Sequence, residues 1–432
     1  MKVAFYTLGC KVNQYETEVI RSEFIKKGFD TINLDETADV YVVNSCSVTA
    51  MSDKKSRQQV RHFKKMNPDS VVVLTGCFSQ SFPEKAKEIN EADIITGTKN
   101  KSKIPELVLK YIAEKERIFS VSPHEKGEAF EKSENDCFYE KTRAFVKIED
   151  GCDRFCSYCI IPYARGRVRS KNTDDLKSEL KKIAENGYKE VVLVGINLAC
   201  YGQDIGKRLA DAVEAACLTD GIERVRLGSF EPEMLYEEDL KRFASFDKFC
   251  PQFHISLQSG CDETLKRMNR HYNSSEYMKI IENINSVFDN PAITTDVMVG
   301  FSGETDDEFE KSLEFVKNAG FSKVHVFPYS VRKGTAAEKY PDRIPAEIKS
   351  VRAKLMQSAA DKSQSDYLSS QIGRKSSVLI ERYKDDSYYC GYTKNYVPVR
   401  VYSHEFDDSL LNTIADIKII SAENDYCKAD FI

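Results

Sequence analysis

Cys152, Cys156 and Cys159 stand in the spacing Cys-x3-Cys-x2-Cys within GCDRFCSYCIIPYARGR. Three thiolates so close can grip three corners of a cubane 4Fe–4S cluster and leave its fourth iron open to a small molecule. The same residues also read as a zinc knuckle short of one ligand, or as core cysteines. A second set, Cys10, Cys46 and Cys77, is separated by 36 and 31 residues, too far for a local metal motif. It can act together only if the fold gathers three remote thiols; otherwise these are partly buried cysteines at loop starts.

The elements that would gather them are legible as alternating runs. Lys2–Thr7, Asp39–Asn44, Ser70–Thr75 and Asp93–Thr96 read as strands, with helical patterns over Gln14–Lys27, Val48–Met66, Pro83–Ile89 and Ile104–Glu114. This alternation predicts an α/β unit with a doubly wound parallel sheet. Each of the three cysteines then follows the C-terminal end of a separate strand by two or three residues. Parallel strands point those ends one way, at the edge where open α/β sheets bind ligands. From Glu116 to Tyr139 the chain is polar and aperiodic and reads as a linker.

Six further strands, Ala144–Glu149, Glu190–Gly195, Arg224–Leu227, Phe253–Leu257, Thr294–Val299 and Lys323–Val326, alternate with helical stretches. They predict a partial or full (β/α) barrel with its chemistry at the C-terminal strand ends. The tail is β-rich with polar turns, which fits a small antiparallel β-barrel. The expected division is 1–115, a linker 116–139, a core 140–369 and a terminal unit 370–432.

The chain holds 13 cysteines and carries a net charge of −5. It shows neither a signal peptide nor a run of 18 apolar residues, so the reading is cytoplasmic with no membrane association. Thiols stay reduced there and clustered cysteines read as metal ligands or catalytic groups rather than disulfides. Cys137, Cys200, Cys217, Cys250, Cys261, Cys390 and Cys427 have no usable partner spacing.

Taken together, these motifs resemble the radical S-adenosylmethionine methylthiotransferase family. The resemblance is carried by the triplet at Cys152, by LGCKVNQYE, VNSCSVT and LTGCFSQ around Cys10, Cys46 and Cys77, and by VLVGINLACYG, RLGSFEPE, HISLQSGCDETLKRMNR, VMVGFSGET and FPYSVRKGTAA in order. It implies two 4Fe–4S clusters, one on each cysteine triplet, and two molecules of S-adenosylmethionine. One donates a methyl group to sulfur on the auxiliary centre; the other is cleaved to a 5′-deoxyadenosyl radical that activates an inert carbon. The segment Cys10–Glu16 is similar to the subgroup acting on N6-threonylcarbamoyladenosine beside the tRNA anticodon. Isopentenyladenosine in tRNA, or an aspartate of a ribosomal protein, would be the alternatives within the family. A non-catalytic zinc-containing RNA-binding protein is the alternative outside it.

The resemblance also implies S-adenosylmethionine contacts from Tyr158, Gly195, Asn197, Glu231, Ser256, Gln258 and Gly300. Each also reads structurally, Glu231 for instance as a helix cap. Gly228, Phe230, Ser302 and Cys261 depart from the family pattern, and none of them is a cluster ligand. GYTKNYVPVRV (Gly391–Val401) resembles a TRAM domain, an RNA-binding module. Arg374–Asp430 nevertheless has 8 Lys/Arg against 10 Asp/Glu, so an RNA partner must find local basic patches. Tyr163–Lys171 holds four positive charges and Lys54–Lys65 six without an acid; Tyr388, Tyr392 and Tyr396 could stack bases. An electron donor and a sulfur source are required and unidentified.

Overall fold

The computed structural model describes residues 1–133, 142–384, 387–403 and 407–432; Cys137 and the last part of the expected linker lie outside the described residues. The first sheet contains β1 (Lys2–Thr7), β2 (Asp30–Thr31), β3 (Val40–Ser45), β4 (Val71–Gly76), β5 (Ile94–Thr96) and β6 (Ile118–Ser120), all parallel, in the order β2-β1-β3-β4-β5-β6. β3 and β4 are buried at every position, which is why they read as continuous apolar runs rather than alternating ones. Separate apolar clusters cover the two faces, one around Tyr41, Phe63 and Leu74, the other around Val42, Val73 and Phe24. The sheet is therefore doubly wound.

Sequence periodicity missed β2 and β6, because strands of two or three residues are too short to show a period. β6 also falls inside the stretch read as a linker. That stretch stays attached beyond the strand: His124 Nε2 hydrogen-bonds Thr98 Oγ1 at 2.9 Å, and Glu131 accepts from the backbone N–H groups of Asn100 and Lys101 at 3.0 and 3.1 Å.

The central part begins with β7 (Arg143–Lys147), followed by a short antiparallel pair, β8 (Glu149–Asp150) and β9 (Arg169–Ser170). Next come β10 (Glu190–Val194), β11 (Arg224–Leu227), β12 (Ser229–Phe230), β13 (Gln252–Ile255), β14 (Ala292–Val299) and β15 (Lys323–Pro328). β7, β10 and β11 pair in parallel, as do β12 through β15. β11 and β12 are one strand bent at Gly228, so six strand positions run in sequence order around a partial barrel. Its core lies between strands and outer helices.

A closed five-stranded barrel ends the chain: β16 (Lys375–Lys384), β17 (Tyr388–Thr393), β18 (Pro398–Tyr402), β19 (Ile414–Ala422) and β20 (Cys427–Phe431), in the order β16-β17-β18-β20-β19. Four of these strands, β16 to β19, lie where the β-rich tail reads as Ser376–Arg382, Tyr388–Thr393, Tyr396–Val401 and Ala415–Ser421; β20 is added, and β18 and β20 pair in parallel. That one pair closes the barrel and leaves no edge strand exposed. No helix among the described residues is long and apolar enough to cross a membrane.

Candidate functional site

The order β2-β1-β3-β4 places the topological switch point between β1 and β3, where a crevice opens beyond the strand ends. Cys10 follows β1, Cys46 immediately follows β3, and Cys77 immediately follows β4. Asn13, in the helix Lys11–Lys26, donates through Nδ2 to Leu8 O at 2.7 Å and Ser45 O at 3.0 Å, tying the first two loops. Ser45 Oγ donates to Thr75 O at 2.6 Å and accepts from Phe78 N at 3.2 Å, tying the second to the third. Gly76 has φ +102°, and a side chain there would meet Ser45 O at 2.5 Å; only glycine lets these strand ends approach so closely.

The three thiols thereby converge. Charge on Cys77 bears on both Cys10 and Cys46, and Cys10 on Cys46. Burial and these neighbours push the Cys46 thiol up to about 11, so a thiolate there needs a positive partner such as a metal.

The second triplet lies on the loop after β8. Cys152 N donates to Gly166 O at 3.0 Å, Ser157 N to Met268 O at 2.9 Å, and Ala337 N to Ser157 O at 2.7 Å, which pins the loop at its start and its middle. All three cysteines are half-buried. Burial raises each thiol, Cys159 to about 12; charge on the other two raises Cys152 further, charge on Cys156 raises Cys159, and at Cys156 Arg270 opposes the rise while Glu231 adds to it. Arg270 donates to Cys156 Sγ at 3.4 Å and to Glu231 Oε1 at 3.0 Å.

The other sequence candidates are placed as follows. Glu231 precedes a 3-10 turn without capping it and pairs with Arg270 instead. Tyr158 packs its ring edge-on to Phe301. Gln258 is buried at φ +66°. Ser256 offers its carbonyl to Arg270 and Tyr272, both at 2.9 Å. Gly300 faces Lys349, whose Cγ is 2.2 Å from where a Cβ would sit, so its missing side chain makes room for protein.

Gly195 and Asn197 surround a residue the sequence reading passed over, Glu149. A side chain at Gly195 would come 2.6 Å from Glu149 Oε2, and that oxygen accepts from Asn197 N at 2.7 Å. Glu149 Oε1 and Asn197 Oδ1 are buried with no hydrogen-bond partner. Burial pushes the Glu149 carboxyl well above the ordinary range. Two unsatisfied acceptors beside a cluster loop fit a cationic ligand such as the amino group of S-adenosylmethionine. The available signal was a Glu–Asp pair ending an apolar strand in AFVKIED.

Arg165 and Glu16 were also missed. Arg165 is fully buried and donates to Asn13 Oδ1 at 2.6 Å, to both oxygens of Glu16, to Asp150 at 3.4 Å, and to Cys77 Sγ at 3.4 Å. It comes from the helix just after Cys159 and so links the loop of one triplet to a cysteine of the other. Around it, Lys101, Lys147, Arg165 and Arg169 face the carboxylates of Glu16, Glu131 and Asp150. Four cations thus face three carboxylates beside Cys77.

This network corrects the basic-patch expectation for Tyr163–Lys171. Arg165, Arg169 and Lys171 are buried in ion pairs and only Arg167 is exposed. The helix Ala50–Met66 does keep an exposed basic face of Lys54, Lys55, Arg57 and Lys65. Tyr392 and Tyr396 stack on each other at 4.4 Å under Arg143, with Arg226 also over Tyr396. They are engaged with the central barrel and are not free base platforms. Cys261 is buried and its thiol donates to Glu263 at 2.9 Å.

Comparison with known proteins gives the family. Residues 146–316 match the model of the Radical SAM superfamily, and residues 2–97 match Uncharacterized protein family UPF0004. The chain is 35% identical to the threonylcarbamoyladenosine tRNA methylthiotransferase MtaB of Bacillus subtilis, over 100% of this chain and 96% of that protein. It is 32% identical to a tRNA-2-methylthio-N(6)-dimethylallyladenosine synthase of Clostridium botulinum, over 97% and 94%. Among solved structures, the radical S-adenosylmethionine methyltransferase TsrM of Kitasatospora setae shares the fold, with TM-score 0.56 and 12% identity over 76% of this chain and 72% of that one. With relatives above 30% identity along its whole length and a cysteine triplet in each matched region, the chain belongs to the radical S-adenosylmethionine methylthiotransferase family.

Proposed function

We propose that this enzyme methylthiolates C2 of N6-threonylcarbamoyladenosine at the position 3′ of the tRNA anticodon, in the cytoplasm, using two 4Fe–4S clusters and two molecules of S-adenosylmethionine. The observation that carries the reading is the pair of three-cysteine sets, each short of a fourth ligand, in a chain aligned end to end with a threonylcarbamoyladenosine tRNA methylthiotransferase. Cys152, Cys156 and Cys159 would hold one cluster and Cys10, Cys46 and Cys77 the other. Bound there, the clusters supply reductive cleavage of a sulfonium and a site for sulfur.

The chain's own residues do the rest. Glu149 and Asn197 accept hydrogen bonds from the amino group of S-adenosylmethionine, and Gly195 leaves room for Glu149 to reach it. Arg270, held by Glu231 and the Ser256 carbonyl, donates toward Cys156 and steadies its negative charge. Arg165 does the same for Cys77. We take Tyr158, Gln258 and Gly300 as shaping the pocket wall, and 1–115, 140–369 and 370–432 as its three working units. The basic face of Ala50–Met66 and the terminal barrel would meet the anticodon stem-loop.

Metal analysis of anaerobically purified protein tests the centres: about eight irons with acid-labile sulfide are expected, and zinc without brown absorbance would refute the reading. Mass spectrometry of nucleosides tests the substrate. A stem-loop carrying threonylcarbamoyladenosine should gain the methylthio group, and exclusive modification of dimethylallyladenosine would move the assignment to the other class of relatives. Glu149→Gln should weaken S-adenosylmethionine binding about 10- to 100-fold, the scale of a lost hydrogen bond to a charged group. Calorimetric titration of the reconstituted variant reads this, with iron content unchanged.

A further inference from the structure

The open face of the partial barrel carries a second group of side chains that neither cysteine triplet uses. On β13, Phe253 and Ile255 pack outward under the helices, so His254 turns inward. By the same alternation Asp296 on β14 and His325 on β15 turn inward beside it. His254 Nε2 is 3.3 Å from Asp296 Oδ2, His254 Nδ1 is 2.9 Å from Thr294 Oγ1, and the two imidazole rings lie 5.9 Å apart. The ligand atoms of the three residues all fall within 4.8 Å of one another. A divalent cation would suit such a set, but the ammonium groups of Lys11 and Lys323 both bear on His325 and oppose a further positive charge.

Lys11 reaches the same lumen from above. It opens the helix whose next residue, Val12, packs on Val192, Val194 and Phe145 of the inner barrel face. Its surroundings are Arg226, Arg143 and Glu190. Glu190 is already taken by Arg226 at 2.9 Å, Arg224 at 3.7 Å and Arg143 at 4.0 Å. Among the described residues no carboxylate forms an ion pair with Lys11. Cations therefore outnumber carboxylates across this lumen, and Lys11, which has no ion-pair partner among the described residues, is adjacent in sequence to Cys10.

We propose that Lys11 and His325, with His254 behind them, receive the carboxylate of the threonylcarbamoyl group and so select a charged N6 substituent over an apolar one. This rests on the substrate reading given above. A carboxylate here gains charge-assisted hydrogen bonds. A dimethylallyl group would leave the half-buried Lys11 without an anion, and sites built to bond a polar group reject the analogue that lacks it.

The test compares three synthetic anticodon stem-loops, bearing the threonylcarbamoyl group, its carboxamide analogue, or dimethylallyl. Wild-type enzyme should show a KM and a Kd about 10- to 100-fold lower for the carboxylate than for the carboxamide. Lys11→Met and His325→Gln should each raise the carboxylate values toward the carboxamide values and leave the latter unchanged. Iron content and RNA-independent formation of 5′-deoxyadenosine establish that each variant is loaded. Should Lys11→Met lose iron, His325→Gln, which adjoins no cysteine, decides the matter. Equal handling of carboxylate and carboxamide by wild type, or a preference undiminished in the variants, would overturn the proposal and leave the substrate reading standing. Modification of the dimethylallyl stem-loop alone would overturn the substrate reading itself.

Discussion

Alanine at Cys10, Cys46 and Cys77 together is expected to halve the iron, from about eight to about four per chain, and to abolish methylthiolation while 5′-deoxyadenosine is still formed. The separation follows from where each triplet is anchored. The loop bearing Cys152, Cys156 and Cys159 is held by Gly166, Met268 and Ala337, none of which belongs to the first sheet. The other three cysteines are held by Asn13, Ser45 and Gly76 at the ends of β1, β3 and β4. Removing three thiols from one site leaves the supports of the other intact. Alanine at Cys152, Cys156 and Cys159 should instead abolish both products, because the radical step precedes sulfur insertion. Iron assay, chromatography of cleaved S-adenosylmethionine and nucleoside mass spectrometry read the three quantities. Full iron retention in the first variant, or joint loss of both products, would refute two separate centres.

How far the sequence carries this site depends on which residues speak locally. The triplet at Cys152 is local, and its spacing alone names the chemistry. Cys10, Cys46 and Cys77 speak only through the strands before them, yet the strand reading was enough to place them on one edge, since buried parallel strands are unmistakable as apolar runs. Arg165 did not speak at all. In YARGRVRSK it looks like one more surface cation, and only the tertiary structure reveals that it is fully buried between two parts of the chain. Glu149 was hidden for a similar reason: its importance lies in one oxygen, Oε2, held against Gly195 and Asn197 after another strand, while the other is buried without a partner. Charged residues that serve buried networks carry no periodic signature, whereas apolar residues do. The same limit applies to Tyr392 and Tyr396, which read as base platforms until Arg143 and Arg226 are found upon them.

Arg165→Met should be the most damaging single change to stability, lowering it by about 3–5 kcal/mol, the cost of leaving a buried partner uncompensated. Glu16 and Asp150 would keep only Lys101, Lys147 and Arg169, and the methionine would place no donor beside Asn13 or Cys77. Adding Glu16→Gln should restore part of the loss, because it removes the stranded carboxylate; residues sharing one network couple in this way. The pH dependence has a defined sign. Desolvation acts to raise the Glu16 carboxyl, but Arg165, Lys147 and Lys101 outweigh it and hold it at about 2, below its usual 4.5. A depressed folded-state value stabilises above the ordinary pKa, and that stabilisation is lost as pH falls from 4.5 through about 2. Urea titrations of the metal-free chain should therefore show the wild-type advantage over Arg165→Met shrinking across that window, with Glu16→Gln flattening the dependence. An Arg165→Met chain as stable as wild type at neutral pH, with no coupling to Glu16, would mean that the two triplets are not joined through this guanidinium.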